Sequence, residues 1–534
     1  MPRDRRKIFG NENAEVDPLV LDCYVDNMSN GIQIITGRWG VGKTAFMFNA
    51  TKELANTLEK THREHKKLWY VSESDLDSDQ IVEAYSHLDE KRFKRYLKSI
   101  WKAEIYRRAS IVISSLKDHY GEKAKGLHWR EIKGIATSST AGKSIWKQLP
   151  AALSLLKLID DNKKEDLTSI QSGMKEIFSD RIQDLVQQCL RDIKNENILP
   201  IIAIEPIETP FSDLEENSLA QEVISELINI FQQEFQPDDN QLLDIIISVP
   251  WHRFSHNSQV NLPQKVRQYV SFVQWTKEKL KIFIENRIQW EFKRVGRQHS
   301  SRHGESWKLL FESVVHNNYP RVAFNEDSFS YVLRHTNYRP REVQRIARKA
   351  VEICADKTGR NYDDVLKGVG GIRVSGSHIR AAVTDYVDGT SRDRKIESYR
   401  RFRKLEEVTA SLKGLKIPCK PEDIYERFDS NINQQDAFSW LWQSGMLGIE
   451  ATCEEGQIEN LKHILPPNTM QINVDIRQNE YVRWYFFEYN TRGDYFEIYD
   501  QYSRLKGLTL KCTFHPLMFE DFAAHVSDRW PVGI

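Results

Sequence analysis

Apolar runs and their periodicity predict an α/β architecture for the first half of the chain. Residues 32–36 form a short β-branched strand pattern, and residues 45–58 carry apolar side chains at helical spacing. Two later runs, residues 198–204 and 243–249, are apolar almost throughout, as expected of strands that are covered on both faces. A shorter strand is predicted at residues 269–273. Strands that alternate with helices in this way predict a parallel sheet.

Helical periodicity dominates three other parts of the chain. Residues 78–195 have apolar positions at helical spacing, which predicts a helical insertion. Thr276 is a good N-cap for a helix that runs through Arg287. Pro340 suits the first turn of an amphipathic helix with a basic face. Residues 377–405 predict a basic connecting helix.

Two short helices followed by strands are predicted in the C-terminal region. Residues 421–428 and 434–448 give the helices, and residues 480–489 and 494–500 give the strands. This order is typical of a winged-helix-like α+β domain, in which we assign His515 a structural role. The second helix carries no Lys or Arg through Gln443, so an interaction or autoinhibition module is favoured over a DNA-reading one.

Charge is segregated along the chain although the total is balanced. The sequence holds 76 Lys+Arg and 76 Asp+Glu, which argues against a uniformly basic nucleic-acid binder. Residues 91–133 carry a net charge of +9 and residues 391–405 one of +5, which makes nucleic acid a candidate partner for these segments. Residues 205–244 carry −11 and residues 421–534 carry −9. Blocks of opposite sign can dock on one another within the chain or between subunits.

Aromatic residues stand among the basic ones of the predicted insertion. Trp101, Trp129 and Trp146 lie between lysines and arginines, a mixture that can bind single-stranded nucleic acid. A solvated helical hairpin that docks on an acidic partner is the alternative.

Cysteine spacing and hydropathy favour a reduced, cytoplasmic protein without a membrane span. The six cysteines lie far apart, and none forms a CxxC or Cys/His pair with metal-site spacing. No run of about 18 uncharged apolar residues occurs. The first residues lack the apolar stretch of a secretory signal.

A glycine-rich turn between the first strand and its helix carries the strongest chemical signal. It matches the pattern GxxxxGK[ST], and it reads Gly37-Arg38-Trp39-Gly40-Val41-Gly42-Lys43-Thr44, with Ala45 following. The glycines let the backbone turn tightly and point N–H groups at phosphate oxygens. Lys43 would reach the β- and γ-phosphates, and the Thr44 hydroxyl would bind Mg²⁺. The motif predicts ATP and Mg²⁺ as cofactors.

Two strands compete to supply the acidic residue of this site. Residues 67–72 are followed by Glu73 and Asp75, whereas residues 198–204 are followed by Glu205 and Glu208. The second run is more apolar, so we assign Glu205 to the Mg²⁺ side and Glu208 to the water-activating base. A carboxylate in a solvated loop or a helix N-terminus is the alternative for both.

Three arginines are candidates for sensing the γ-phosphate. Arg253 follows the strand predicted at residues 243–249, although a surface arginine is equally consistent with its position. Arg339 and Arg341 flank Pro340 at a helix start, where the helix dipole disfavours cations unless an anion neutralises them. Nucleotide phosphate is one such anion, and a solvated arginine pair is the alternative.

The motifs together resemble a family. The P-loop, the later acidic strand, WTKEKLKIFIENRI at residues 275–288 and HTNYRPRE at residues 335–342 resemble bacterial STAND and KAP ATPases, and they are similar to the Orc/Cdc6 branch of AAA+ proteins. The resemblance covers roughly residues 8–75 and 195–350. Glu205 replaces the usual Asp, and the helical insertion is a second departure.

The resemblance implies an ASCE-type P-loop sheet, in which an extra strand separates the P-loop strand from the acidic strand. It also implies a helical lid whose sensor arginine corresponds to Arg339 or Arg341. We therefore predict a core in two parts, a basic helical insertion, a lid, and a connecting helix with a winged-helix-like domain. The boundaries, in that order along the chain, are 1–77 (core), 78–195 (insertion), 196–290 (core), 291–375 (lid) and 376–534 (connecting helix and C-terminal domain).

Three functions are compatible with these residues. The first is an ATP-hydrolysing switch that acts in a homo-oligomer or with a protein effector. The resemblance implies antiviral defence as its setting, because several members of the resembled family serve there. The second is a DNA-associated ATPase of the initiator or loader type. The third is a nucleotide-binding scaffold with little turnover, which the unusual Glu205 makes plausible. No GTPase-type [NT]KxD motif follows the core strands, which favours ATP.

Overall fold

The computed structural model divides into two compact units, one of which spans Tyr24–Val273, while the described part of the other begins at Gln274. The structure describes the following residues: 34–37, 41–43, 45–47, 69–72, scattered positions between 94 and 114, 180–195, 200–204, 224–230, 242–250, 270–297, 305–319, 322–401, 404–453, 470–476, 479–487, 495–505, 508–518 and 525–526.

The first unit contains a five-stranded parallel sheet. Its strands are β1 (Ile34–Gly37), β2 (Trp69–Ser72), β3 (Ile201–Ile204), β4 (Asp244–Pro250) and β5 (Val270–Val273). The order across the sheet is β2-β3-β4-β1-β5, and every neighbouring pair is parallel. Strand β4 thus separates the P-loop strand β1 from β3, which is the ASCE arrangement. The predicted fold class, an α/β P-loop NTPase, is confirmed.

Burial explains why these apolar runs form central strands. All four residues of β1 and all four of β3 are buried, so both faces of these strands are covered. Helix α1 (Asp180–Asn195) also belongs to this unit. Its buried residues Val186, Cys189, Leu190 and Ile193 recur at the spacing of a single helix face.

The predicted helical insertion is described only in part. The described positions between residues 94 and 114 are all helical, and residues 224–230 form a further helical segment. The Trp101 side chain is fully buried, as is Arg108. The ring of Trp101 therefore packs in the core and is not exposed for stacking on a base. Trp129 and Trp146 lie outside the described residues.

The second unit begins with a mainly helical region. Its helices are α2 (Lys277–Arg294), α3 (Ser306–Leu310), α4 (Ser328–Arg334), α5 (Pro340–Thr358), α6 (Tyr362–Lys367) and α7 (Gly376–Arg401). Strands β6 (Val314–Tyr319) and β7 (Val322–Asp327) form an antiparallel hairpin within it, which the helical interpretation of this region missed. A 3₁₀ turn, Val369–Gly371, joins α6 to α7.

The N-terminal ends of α2 and α5 are those expected. The Lys279 main-chain nitrogen donates a hydrogen bond of 3.1 Å to Thr276 Oγ1, which confirms the N-cap. Helix α2 continues to Arg294, about two turns past the predicted end at Arg287, because Ile288 and Phe292 extend its buried face. Helix α5 starts at Pro340 as predicted.

The C-terminal region combines short helices with an antiparallel sheet. Helices α8 (Leu405–Ser411), α9 (Pro421–Tyr425) and α10 (Gln434–Gln443) come first, with strand β8 (Lys416–Ile417) between α8 and α9. Strands β9 (Leu447–Cys453), β10 (Met470–Ile476), β11 (Asn479–Phe487) and β12 (Leu508–Phe514) form a sheet in the order β10-β11-β9-β12, and β13 (His525–Val526) pairs with β8. Short helices followed by an antiparallel sheet make this region α+β, and its winged-helix-like character stays a prediction.

One predicted strand of this region is wrong. Residues 494–500 were expected in a strand because aromatic residues are frequent there, but helix α11 (Tyr495–Ser503) occupies this position. Its buried residues are Tyr495, Ile498 and Tyr502, which stand three and four residues apart and share one helix face. Among the described helices, none is both long enough and apolar enough to cross a membrane.

Candidate functional site

Gly37 ends β1 at a place where no side chain fits. A Cβ at this position would lie 2.9 Å from the main-chain oxygen of Val273 in β5 and 3.1 Å from Val41 Cγ2. The first contact is with backbone, which cannot move without disturbing the pairing of β1 with β5. Glycine is therefore required here by the close approach of β5.

Gly42 turns the loop into the following helix. Its φ of 87° lies in the left-handed region, which an L side chain rarely adopts. Its carbonyl accepts the first helical hydrogen bond, from the Phe46 main-chain nitrogen at 2.9 Å. The helix thus begins at Lys43, and its first N–H groups point toward the loop. This is the arrangement in which a helix N-terminus and a glycine-rich turn bind an anion.

Lys43 is buried in the first helical turn, with 5% of its surface exposed. Lysine is seldom so buried, and a cation at a helix N-terminus opposes the dipole by about 0.3–1 kcal/mol. Both costs are offset when an anion such as a phosphate occupies the loop. Ala45, Phe46 and Met47 continue the helix with buried side chains, which anchor Lys43 to the core.

Two hydroxyl groups beside the loop were missed by the sequence analysis. Thr36 Oγ1 and Ser248 Oγ are buried, and neither has a hydrogen-bond partner among the described residues. Thr36 precedes the loop in β1, and Ser248 pairs with Ile35 in the neighbouring β4. A buried hydroxyl without a partner costs about 1–3 kcal/mol, so such a group is expected to bind water or ligand. The signal available in the sequence was a hydroxyl residue within each of two largely aliphatic strand patterns.

Sheet order separates the two strands that compete to supply the acid. Strand β2 is at the edge of the sheet, three positions from β1, whereas β3 is two positions away with only β4 between. In the register of the sheet, Ile204 at the end of β3 pairs with Ile247 of β4, and Ile247 pairs with Ile34 of β1. Glu205 follows Ile204 directly in the sequence, but it lies outside the described residues.

Several predicted site residues lie outside the described part of the chain: Arg38, Trp39, Gly40, Thr44, Glu205, Glu208 and Arg253. The same holds for Glu73 and Asp75. Within the described residues, no group of three or more His, Cys, Asp and Glu side chains could hold a metal ion. The residues predicted to bind Mg²⁺, Thr44 and Glu205, therefore remain predictions.

Arg339 and Arg341 occupy the start of α5 in the second unit. Arg339 is the N-cap residue, and its Nη1 lies 3.7 Å from Glu342 Oε1. The second carboxylate oxygen of Glu342 accepts a hydrogen bond of 2.6 Å from the Asn337 main-chain nitrogen. Arg341 is exposed. The protein thus supplies one anion, Glu342, that partly neutralises Arg339 at this helix start.

The turn before Arg339 is held from two sides. Tyr338 adopts a φ of 54° and is buried, and burial followed by the charge of Glu278 raises the pKa of its hydroxyl. The Thr336 main-chain oxygen lies 3.1 Å from His515 Nε2 in the C-terminal domain. The main-chain nitrogen of Leu517 donates to His515 Nδ1, so Nε2 carries the proton and is the donor to Thr336. The arginine-bearing turn is therefore bonded to the C-terminal domain.

Comparison with known proteins gives weak structural likenesses. No protein-family model matches the chain, and no curated protein matches it. The chain is similar to the Aeropyrum pernix ORC2 protein (ADPNP–ADP complexes), with 12% identity, 72% of each chain covered and a TM-score of 0.29. It is also similar to the Aeropyrum pernix ORC1 protein in complex with DNA, with 12% identity, 94% of each chain covered and a TM-score of 0.27. These values support no inference about activity, and the fold class rests on strand order and P-loop geometry.

Proposed function

We propose that this protein is a Mg²⁺-dependent ATPase that acts as a nucleotide-controlled switch. The observation that carries the proposal is the combination of Gly37 at the carboxyl end of β1 with the helix start at Gly42 and Lys43, in a sheet of ASCE strand order. Ligands of open α/β sheets bind at this edge. The glycine required at position 37, the left-handed Gly42 and the buried Lys43 are the features a phosphate-binding loop needs.

Each residue has a role in this proposal. Main-chain N–H groups of the loop hold the phosphate oxygens, and Lys43 compensates charge on the β- and γ-phosphates. Thr44 and Glu205 would hold Mg²⁺, which supplies further charge compensation when bound. Glu208 would orient the attacking water and accept its proton. Arg253, Arg339 or Arg341 would stabilise the charge that develops on the γ-phosphate.

The link between Thr336 and His515 favours a switch over simple turnover. It joins the turn that carries Arg339 to the C-terminal domain within a single unit. A change in the group that Arg339 binds would therefore be transmitted to that domain through this hydrogen bond. We propose that the switch acts in a homo-oligomer or on a protein effector, and that antiviral defence is a suitable setting. A DNA-associated initiator or loader is the alternative, and a scaffold with little turnover is a further one.

The decisive experiment compares ATP binding with phosphate release. Wild type should bind ATP and release phosphate, Lys43→Ala should lose ATP binding, and Glu208→Gln should bind ATP without turnover. Arg191→Ala, which removes an exposed cation of α1 in the same unit, is the matched control and should behave as wild type. Full ATP affinity and turnover in Lys43→Ala would overturn the proposal. Binding without turnover in wild type, unchanged by Glu208→Gln, would instead establish the scaffold.

A further inference from the structure

A glycine-rich turn on the second unit exposes its backbone. The sequence Gly368-Val369-Gly370-Gly371 joins α6 to α7, and the three glycines have φ values of 69°, 70° and 76°. Three of its four residues therefore have no side chain to cover the main chain. Val369 is the exception, and 42% of its surface is exposed at the tip of the turn.

Three arginines surround this turn, and they are oriented by carbonyl oxygens. Arg297 Nη1 donates to Leu366 O at 2.8 Å, Arg360 Nη1 to Val369 O at 3.3 Å, and Arg373 Nη2 to Phe311 O at 3.4 Å. A Cβ at Gly368 would lie 3.4 Å from Arg297 Cζ, and one at Gly370 would lie 3.3 Å from Arg360 Nη2. Two of the guanidinium groups thus pack directly against the glycine backbone.

These contacts fix the arginines without neutralising them, because a carbonyl oxygen carries no net charge. Within the described part of the chain, none of the three forms an ion pair with a carboxylate. The neighbouring Arg294 shows the contrast, since it pairs with both Glu291 and Asp363. The surface around the turn consequently keeps three uncompensated positive charges.

Two of these charges, those of Arg297 and Arg373, also act on one another. The Arg297 guanidinium stacks over the Phe292 ring at 4.2 Å, which holds it in place. Burial lowers the pKa of Arg297, and the positive charge of Arg373 lowers it further. Like charges held close together by packing are relieved when an anion binds between them.

The chemistry of the turn fits phosphate oxygens. Guanidinium forks match phosphate geometry, and a backbone bare of side chains lets a bulky anion approach closely. Arg360, Arg373 and the tip of the turn are exposed rather than enclosed. An open surface holds a single phosphate weakly in water, whereas a chain of phosphates gains affinity from counterion release at every contact.

We propose that the turn Gly368–Gly371, together with Arg297, Arg360 and Arg373, is a contact site for the sugar–phosphate backbone of duplex nucleic acid. The site reads charge and spacing, not base sequence. It differs from the basic segments 91–133 and 391–405, and it lies in the unit that does not contain the P-loop. It therefore stands independently of the proposed ATPase.

The test measures fluorescence anisotropy of a labelled duplex DNA of about 24 base pairs against the full chain, between about 50 and 200 mM salt. The double variant Arg360→Gln/Arg373→Gln should lose at least about tenfold in affinity at low salt, and its slope of log K against log salt should be shallower by about two. Arg504→Gln is the matched control and should leave both quantities unchanged. Arg504 is an equally exposed arginine that is paired with Asp500.

A second variant tests the turn itself without removing an arginine. Val369→Glu places a negative charge at an exposed position and should weaken duplex binding at least as much, whereas Val369→Thr should not. Circular dichroism spectra matching wild type would show that each variant folds. Lys43→Ala should keep duplex affinity while losing ATP, so failure of one proposal is distinguishable from failure of the other.

The proposal is overturned if wild type does not bind the duplex at about 50 mM salt. It is also overturned if the affinity and salt slope of the double variant equal those of wild type, or if the Val369→Glu variant binds the duplex normally. The last measurement compares binding of polyglutamate with binding of the duplex. If it binds wild type more tightly than the duplex does, and the double variant loses that binding, the surface is a docking site for acidic protein and the nucleic-acid proposal is wrong.

Discussion

His515 in the C-terminal domain donates a hydrogen bond of 3.1 Å from Nε2 to the main-chain oxygen of Thr336, across 179 residues of sequence. His515 is fully buried, and the Leu517 N–H at Nδ1 fixes which ring nitrogen carries the proton. Its own main-chain nitrogen donates to Met446 O at 2.9 Å. One residue thus ties the strand that follows α10 to the turn that precedes Arg339, which gives the switch proposal a physical connection.

Removing this connection should destabilise the second unit. His515→Ala leaves the Thr336 oxygen and the Leu517 N–H without their partner, and each buried group left unsatisfied costs about 1–3 kcal/mol. We expect the free energy of unfolding in urea to fall by about 2–4 kcal/mol. An unchanged midpoint would show that the bond contributes nothing. His316→Ala, at an exposed strand position, is the control.

His335 should make stability fall in mild acid. Burial, the charge of Arg334 and that of His515 lower the pKa of His335 well below the ordinary 6.5, although its hydrogen bond to Tyr331 O acts the other way. The unfolded chain binds a proton at His335 near pH 6.5 and the folded chain does not, so stability is complete above that pH and is lost as pH falls. The slope from this residue is at most about 1.4 kcal/mol per pH unit.

The measurement compares urea denaturation of wild type and His335→Gln at pH 7.5 and pH 5.5. Wild type should lose about 1 kcal/mol more than the variant between these values. His316→Gln should keep the wild-type dependence. Parallel curves for wild type and His335→Gln would contradict the expectation.

Gly37→Ala should abolish nucleotide binding and destabilise the first unit. Its Cβ would meet the Val273 oxygen at 2.9 Å, so either β5 or the loop must shift. Gly389→Ala is the matched control, because a Cβ there meets nothing within 4 Å and position 389 lies inside helix α7. That control should stabilise the protein by about 0.5–1 kcal/mol. Thermal unfolding and binding of a fluorescent ATP analogue check both outcomes, and an alanine at position 37 with normal ATP affinity would contradict the loop geometry.

Local chemistry decided which parts of the fold were predictable. The strand before the P-loop, the Thr276 cap and the Pro340 helix start each follow from a few adjacent residues, and the structure has them where they were expected. Helix α11 was mistaken for a strand because Tyr495, Phe496 and Tyr499 favour strands when considered singly. The spacing of the buried residues Tyr495, Ile498 and Tyr502 shows the helix instead. The β6–β7 hairpin escaped because His316, Asn317 and Asn318 lack a strand's apolar alternation.

The candidate site was predictable only where it is contiguous in sequence. Glycine at position 37 is in the motif, but its reason, the approach of Val273, comes from β5, which lies more than two hundred residues away. The unpartnered hydroxyls of Thr36 and Ser248 lie near the end of β1 on opposite faces of the sheet, which is visible only once β1 and β4 are known to be neighbours. The bond between His515 and Thr336 likewise joins distant segments that no periodicity connects.

The pairing of Arg339 with Glu342 gives the sharpest test of the lid. If Arg339 binds the γ-phosphate, the carboxylate 3.7 Å from its Nη1 competes with ATP. Glu342→Gln removes that competing charge but keeps an oxygen to accept from the Asn337 N–H, so the turn should hold. We expect ATP affinity to rise about two- to fivefold, the range of a partly exposed ion pair. Arg339→Ala should lower both affinity and turnover, and Arg345→Ala, at an exposed position further along α5, serves as its control.

The double variant Arg339→Ala/Glu342→Gln separates a direct effect from a structural one. If Glu342 lowers ATP affinity by holding Arg339 away from phosphate, then Glu342→Gln can have no such effect in a protein that lacks Arg339. The gain in affinity should therefore vanish in the Arg339→Ala background, which a double-mutant cycle measures as coupling. If the gain persists there, Glu342 acts through the turn and its hydrogen bond to Asn337 rather than through the arginine.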